Sequence, residues 1–150
     1  MRVRSLGYVV IESTDPQKWL EFGTEVIGMM VAPTMPVDDI VYLKIDARPF
    51  RFAINKGAVD KLSLCGWELV DQLDFEQAKA DLTTAGVSFE EGSSDDKAAR
   101  AVKDLIRLQD PAGNTLELYY GADLDYAKFI SPTGISEFET GFNGDMGLGH

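Results

Sequence analysis

The chain has 150 residues, of which 45% are hydrophobic and 26% are charged, and its formal net charge is −11 at pH 7. This length suits one domain, and the composition is typical of globular proteins. The acidic balance argues against a nucleic-acid partner, because phosphates attract Lys and Arg. The first residues lead directly into an amphipathic strand, so we expect neither a signal peptide nor a membrane contact. One cysteine, Cys65, cannot form an internal disulfide, which favours a cytoplasmic protein.

The first predicted unit begins with a strand at about residues 4–13. Thr14-Asp15-Pro16 follows and is a typical helix start signal. The next helix should have one apolar face, because four apolar residues recur at helical spacing: Trp19, Phe22, Val26 and Ile27. Gly28 can end this helix in a left-handed conformation. Strands near residues 29–33, 40–46 and 50–56 complete the unit.

The second predicted unit begins with a strand near residues 64–71. Residues 74–77, Asp-Phe-Glu-Gln, have the spacing of a capping box at the start of a helix. The apolar face of this helix is predicted at Phe75, Ala78, Leu82 and Ala85, and Gly86 ends it. Strands follow near residues 87–91, 102–109 and 115–120. Between the first two of them, residues 92–100 are polar and charged, which predicts a mobile loop.

Residues 122–150 do not continue this pattern. They contain Pro132, several glycines and aromatic residues without a period. A segment of this length without secondary structure is uncommon inside a compact domain. We therefore predict a domain over residues 1–121 and a connector over residues 122–150 that leads to a further part of the protein.

A short motif occurs three times and marks the start of a repeated unit. Residues 5–8 read Ser-Leu-Gly-Tyr, residues 63–67 read Ser-Leu-Cys-Gly-Trp, and residues 147–150 read Gly-Leu-Gly-His. Self-similarity of this kind indicates repeated supersecondary structure. We predict two complete strand–helix–three-strand modules, at about residues 4–57 and 63–121, and the opening of a third.

The closing strands of the two modules align without a gap. Residues 46–57 and 110–121 both start with Asp, contain a turn with Pro or Gly, alternate through a strand and end on Gly. The alignment places Ala53 over Glu117. A chance similarity between two strand-rich stretches is the alternative explanation of the repeat.

Several motifs in this order resemble the vicinal oxygen chelate superfamily, which includes glyoxalases, bleomycin-resistance proteins and type I extradiol dioxygenases. The amino-acid sequence of these motifs is most similar to that of the last group. The motifs lie at residues 4–8, 11–15, 110–113, 116–121, 138–141 and 146–150. The last two resemble the junction at which enzymes that cleave 2,3-dihydroxybiphenyl, and related bicyclic or steroid catechols, pass from the N-terminal domain to the catalytic domain.

The resemblance implies an α+β fold in which two βαβββ modules form one eight-stranded, open, funnel-like mixed barrel. It also implies an oligomeric enzyme of aromatic or steroid degradation that takes a catechol and O2. In this family Fe(II) is held only in the C-terminal domain, by two histidines and one glutamate. His150 matches the first of these ligands, and the others would lie beyond residue 150. We therefore expect no catalytic and no cofactor-binding residue within this chain.

The repeat also bears on a metal site within the two complete modules. The positions equivalent to His150 are Tyr8 and Trp67, and the closing-strand position, where such modules carry a glutamate ligand, holds Ala53 and Glu117. One carboxylate without an imidazole does not make a site for a transition metal, so we expect no bound metal here. We interpret Tyr8 and Trp67 as aromatic residues that fill the barrel. Glu117 is either a former ligand or part of a solvated strand face.

Three functions remain open at this point. The first is the N-terminal, non-metal-binding domain of an Fe(II)-dependent extradiol dioxygenase, inactive alone, which supports the catalytic domain and the subunit contacts. The second is a stand-alone binding protein of the bleomycin-resistance type, which would leave residues 147–150 unexplained. The third is a glyoxalase-like lyase or isomerase with a metal site between modules, against which Tyr8, Ala53 and Trp67 argue. We favour the first.

Overall fold

The computed structural model describes residues 1–35 and 39–134, which form two βαβββ modules. The first module contains β1 (Val3–Ser13), α1 (Pro16–Glu21), β2 (Met30–Val31), β3 (Ile40–Lys44) and β4 (Phe52–Lys56). The second contains β5 (Lys61–Leu69), α2 (Gln72–Thr84), β6 (Phe89–Glu91), α3 (Ser94–Arg100), β7 (Val102–Gln109) and β8 (Thr115–Ala122). All strands belong to one mixed sheet in the order β2-β3-β4-β1-β5-β8-β7-β6. The predicted modules and the predicted eight-stranded open mixed sheet are confirmed.

The opening strands of the two modules pair with each other at the centre of the sheet. β1 and β5 are antiparallel, with Val10 opposite Leu64. Each also pairs in parallel with the closing strand of its own module, so that Val10 lies opposite Ala53 and Gly66 lies opposite Glu117. Because paired residues and residues two apart in a strand share a face, these five positions lie on one side of the sheet. We call this side the inner face.

The hydrophobic core is divided between the two faces of the sheet. The inner face carries the largest buried cluster, formed by Tyr8, Val10, Ala32, Met35, Tyr42, Phe50, Ala53, Leu64, Leu105 and Tyr119. The opposite face is covered by α1 and α2. The cluster between α2 and the sheet contains Leu69, Phe75, Ala78, Ile106 and Leu118, and the cluster on the first module contains Ile11, Met29, Leu43 and Ile54. The predicted apolar face of α2 is thus confirmed at Phe75 and Ala78.

The first helix continues beyond α1 as a π-helical segment over Phe22–Ile27 and ends at Gly28, whose φ is 83°. A π-helix bonds residue i to i+5 and winds more widely than an α-helix. As a result Gly23 is buried, whereas Val26 and Ile27 are exposed. The prediction of one apolar face at Trp19, Phe22, Val26 and Ile27 is therefore confirmed only at Trp19, because the other three side chains are 47%, 68% and 42% exposed.

The start of α2 also differs from the prediction. The cap is Asp71, whose side chain accepts a hydrogen bond from the backbone N–H of Asp74 at 2.9 Å. A capping box that starts at Asp74 is therefore wrong. Asp74 is buried in the first turn and accepts hydrogen bonds from the backbone N–H and from Nε of Arg2, both at 2.9 Å. This contact ties the start of β1 to α2.

Residues 92–100, which the sequence predicts as a mobile loop, contain α3. A capping box starts this helix, because the N–H of Asp96 donates to the Ser93 hydroxyl at 3.1 Å and the N–H of Ser93 donates to the Asp96 carboxylate at 2.9 Å. The helix has seven residues, too few for a hydrophobic period to mark it. No helix in the described part of the chain is long and apolar enough to cross a membrane.

The shared sheet predicts that the 150-residue chain, produced alone, unfolds in a single cooperative thermal transition. Neither module can release its opening strand without exposing the edge of the other, so the two should unfold together. Differential scanning calorimetry checks this through the agreement between the calorimetric and the van't Hoff enthalpies. Two separate transitions, or none, would show that the modules do not stabilise each other.

Candidate functional site

Glu117 on β8 is fully buried on the inner face, with 0% of its surface exposed. Its Oε2 atom accepts a hydrogen bond from Tyr8 Oη at 2.6 Å and from Arg100 Nε at 2.9 Å. Its Oε1 atom accepts one from Arg107 Nη2 at 2.7 Å. The interpretation of Glu117 as part of a solvated strand face is therefore wrong. Strand alternation turns the carboxylate inward, and its partners come from β1, α3 and β7.

The buried charges of this cluster are balanced by a fourth residue. A buried carboxylate costs free energy unless it is paired and hydrogen-bonded, and Glu117 faces two guanidinium groups. Asp96 supplies the second negative charge, because its carboxylate lies 3.1 Å from Arg107 Nη2. We call Tyr8, Asp96, Arg100, Arg107 and Glu117 the carboxylate cluster. It fastens α3 to the sheet.

Four groups of the cluster have shifted pKa values: those of Arg100 and Arg107 are raised by their contacts with carboxylates, and those of Tyr8 and Asp96 are shifted as follows. Burial, and then the negative charge of Glu117, raise the pKa of Tyr8 well above its usual value, so the phenol stays protonated and donates to the carboxylate. Hydrogen bonds from the Ser93 hydroxyl and backbone lower the pKa of Asp96 to about 2, and Arg107 adds to this effect. Asp96 is therefore ionised at any pH above its depressed value.

Two glycines of the repeated motif make room for the aromatic side chains beside the cluster. A Cβ atom on Gly66 would lie 2.2 Å from the Tyr8 ring, and one on Gly7 would lie 1.7 Å from the Tyr119 hydroxyl. The rings of Tyr8 and Tyr119 stack with their centroids 4.9 Å apart, and Phe50 lies 5.3 Å from Tyr8. The inner face is thus filled by side chains from both modules.

Trp67 does not share this position with Tyr8. It packs on the opposite face, in the cluster under α2 that contains Phe75 and Leu118. The prediction that both aromatic residues fill the barrel therefore holds for Tyr8 only. The strand register places Tyr8 opposite Gly66, and the additional residue of the second motif, Cys65, moves Trp67 by one position. A shift by one residue turns a side chain to the other face.

A second set of buried charges lies on the same sheet. Arg48 Nη2 donates to Glu68 at 2.6 Å, Arg4 reaches the same carboxylate at 3.5 Å, and Arg51 pairs with Asp46. Within the described residues, every buried side-chain nitrogen and oxygen has a hydrogen-bond partner. These buried polar atoms are therefore all paired within the described part of the chain.

The described residues do not fit an iron site. The chain has one histidine, His150, and it lies outside the described residues, so its role as a ligand stays a prediction. Over residues 1–35 and 39–134, no group of three or more His, Cys, Asp or Glu side chains could hold a metal. Both oxygens of Glu117 already accept from guanidinium groups, whose positive charges would oppose a cation. Ala53, at the equivalent position of the first module, offers no ligand.

The structure thus brings together Tyr8, at the opening-strand position of the first module, and Glu117, at the closing-strand position of the second. It separates Trp67 from them. Arg100 and Arg107 were missed, because nothing in the sequence links them to a carboxylate in another strand. The alignment of Glu117 with Ala53, an apolar position, was the available signal that Glu117 points inward.

Replacing Glu117 by Gln should lower the free energy of unfolding by about 3–5 kcal/mol, because Arg100 and Arg107 would face a neutral amide in a buried site. Tyr8→Phe keeps the ion pairs and removes one hydrogen bond to a charged group, so the expected loss is about 1.5–3 kcal/mol. Urea denaturation of both variants measures the difference. Glu90→Gln, at an exposed position on β6, is the matched control. Equal losses for Glu117→Gln and Glu90→Gln would contradict a stabilising cluster.

Asp96→Asn should destabilise the chain in a pH-dependent way. The pKa of Asp96 is lowered from 3.8 to about 2 in the folded state, so its contribution to stability is fully present above 3.8 and disappears as the pH falls toward about 2. The difference in free energy of unfolding between the wild type and Asp96→Asn should shrink over this interval. Asp95→Asn, on the same helix, controls for the loss of a surface charge. A difference that is independent of pH would refute the assigned contacts.

Comparison with known proteins agrees with this fold. Residues 6–57 match the family model described as Dihydroxybiphenyl dioxygenase BphC D1. The chain is 40% identical to an iron-dependent extradiol dioxygenase of Rhodococcus jostii (strain RHA1), covering 100% of this chain and 48% of that protein. It is 36% identical to a biphenyl-2,3-diol 1,2-dioxygenase of Paraburkholderia xenovorans (strain LB400), covering 100% of this chain and 49% of the relative.

A crystal structure of catechol 2,3-dioxygenase superposes with a TM-score of 0.87 at 30% identity, over 100% of this chain and 52% of the other. The chain therefore spans about half the length of the relatives it matches. The resemblance that its motifs indicate is confirmed. By sequence and by fold, the chain corresponds to the N-terminal half of extradiol dioxygenases.

Proposed function

We propose that this chain is the N-terminal, non-metal-binding domain of an Fe(II)-dependent extradiol dioxygenase. The parent enzyme would cleave the ring of a bicyclic or polycyclic catechol next to its two hydroxyls, with O2 as the second substrate. The observation that carries this proposal is the match of the whole chain to half of such enzymes, one of them a biphenyl-2,3-diol 1,2-dioxygenase. The motifs at residues 138–141 and 146–150 support it further.

The role of this domain would be architectural. Its inner face is filled by stacked aromatic rings and by ion pairs whose partners are all within the chain. A binding protein of the bleomycin-resistance type needs an open aromatic groove, and Tyr8, Phe50 and Tyr119 occupy that space here. The domain would instead support the catalytic half and the subunit contacts of a homo-oligomer in the cytoplasm.

Iron belongs to the second half of the parent enzyme in this proposal. His150 would be its first ligand, and a second histidine and a glutamate would follow further along the sequence. Bound in such a set, Fe(II) supplies the activation of O2 toward a catechol. On the inner face, Arg100 and Arg107 neutralise the charge of Glu117, and the Tyr8 ring packs in the core. We assign these residues no step of the reaction.

The parent protein, loaded with Fe(II) under anaerobic conditions and then given 2,3-dihydroxybiphenyl and air, should form the yellow ring-opened product. The 150-residue chain should form none, because its single histidine cannot complete the ligand set. Absorbance of the product in the visible range measures both. In the parent, His150→Ala should abolish iron retention as well as activity, and Glu90→Gln, at an exposed position on β6, serves as a control that should keep the bound iron.

Two results would contradict the proposal. One is robust ring cleavage by the 150-residue chain alone, which would mean that the ligands lie elsewhere. The other is a gene that ends directly after the codon for His150, where the proposal expects about 130–150 further residues, one more domain, with a histidine and a glutamate to complete the site.

A further inference from the structure

An apolar surface lies at the end of the first helix. Val26 is 68% exposed, Ile27 is 42% exposed, and Ile130 is 66% exposed. The Ser131 hydroxyl donates a hydrogen bond to the Gly28 carbonyl at 2.8 Å, so Ile27 and Ile130 are each one residue along the chain from this contact. Single exposed apolar residues are ordinary, but a group of them marks an interaction site. We call Val26, Ile27 and Ile130 the helix-end patch.

The winding of the helix creates this patch. Val26 and Ile27 belong to the π-helical segment, and continued α-helical spacing would have placed them on the same face as Trp19, which packs against the core. π-Helical turns are rare and are often found at functional sites. The chain thus uses an uncommon local conformation to direct two branched apolar side chains into solvent.

Residues 123–134, which we call the strap, return from the end of the second module to the first. The Asp125 carboxylate pairs with the Lys44 ammonium group, and these side chains are 5% and 0% exposed. The N–H of Asp125 also donates to the carbonyl of Ala47 at 2.9 Å. A buried ion pair is costly to break, because removing one partner leaves the other charge unpaired. The strap is therefore held on one path across the first module.

The far end of the strap closes against the helix. A Cβ atom at Gly28, where φ is 83°, would lie 2.6 Å from the Ser131 hydroxyl oxygen, so glycine is needed both for the turn and for the close approach. Thr133 Oγ1 would lie 2.9 Å from the same Cβ atom, and the N–H of Gly134 donates to the carbonyl of Ser131 at 3.2 Å. The end of the strap therefore stays beside Gly28.

We propose that the helix-end patch is the docking surface for the second half of the parent enzyme, and that the strap, fastened by Lys44 and Asp125, positions that half there. This inference rests on the proposed function. The relatives are about twice as long as this chain, so a second domain has to be accommodated. A domain joined through the strap is present at a high effective concentration next to the patch, which favours it over a separate molecule as the occupant.

The test uses the full-length parent protein and limited proteolysis between the two halves. Val26→Asp combined with Ile130→Asp places two charges in the proposed interface, and their burial is unfavourable. The connector should then be cleaved about tenfold faster, as for a loss of about 1.4 kcal/mol of docking free energy. The matched control is Leu73→Asp, an 80% exposed apolar residue on α2 of the other module, which should leave the rate unchanged.

A second measurement distinguishes docking of the second half of the same chain from contact with another subunit. The mass of the protein in solution, from light scattering, should be the same for the wild type and the double variant. An unchanged rate of proteolysis together with a reduced mass would show that the patch is a contact between subunits. An unchanged rate and an unchanged mass would show that the patch has no binding role. Either result would overturn the docking proposal. Neither readout needs activity, so a parent that docks its halves and fails to cleave catechols would reject the proposed function alone.

Discussion

The antiparallel pairing of β1 with β5 is the contact on which the rest of the molecule depends. Each opening strand is also paired with the closing strand of its own module, so the β1–β5 pairing joins two four-stranded halves into one eight-stranded sheet. It also determines which residues meet on the inner face. Tyr8 of the first module reaches Glu117 of the second because Gly66, between them in the sheet, has no side chain.

This arrangement explains how charged groups are tolerated in the interior. Glu117, Glu68 and Asp46 are all buried, and each accepts hydrogen bonds from at least one arginine. Such pairs contribute little net stability compared with apolar side chains, but they permit only one arrangement of the elements that supply them. In this chain they fix α3 against β7 and β8 and fix β1 against the second module. The interior is therefore specified by charge as well as by shape.

Much of the fold could be predicted from local patterns. β7 has the predicted bounds, and the turn at Asp110 forms as expected, with its carboxylate accepting from the N–H groups of Ala112 and Asn114. These features depend on neighbouring residues only. The π-helical segment and α3 were not predictable in this way, because helical spacing assumes 3.6 residues per turn and a seven-residue helix is shorter than two periods.

Less of the candidate site than of the fold could be predicted from the sequence. Strand alternation could have placed Glu117 on the inner face, but its partners Arg100 and Arg107 come from other elements, and α3 itself was not expected. Contacts of this kind depend on the register between distant strands, which one sequence does not specify. The resemblance to extradiol dioxygenases rested on motifs instead, and these are local.

The extra residue at Cys65 has a consequence for the symmetry of the molecule. The order of the strands is a palindrome with respect to the two modules, so their backbones are related by an approximate twofold rotation. Because one inserted residue places Trp67 on the opposite face of the sheet from Tyr8, the rotation does not superpose similar side chains of the two modules. A phenol on one half has no aromatic counterpart across the axis. A ligand or a subunit that approached along that axis would meet two different surfaces, so the duplicated halves are free to specialise.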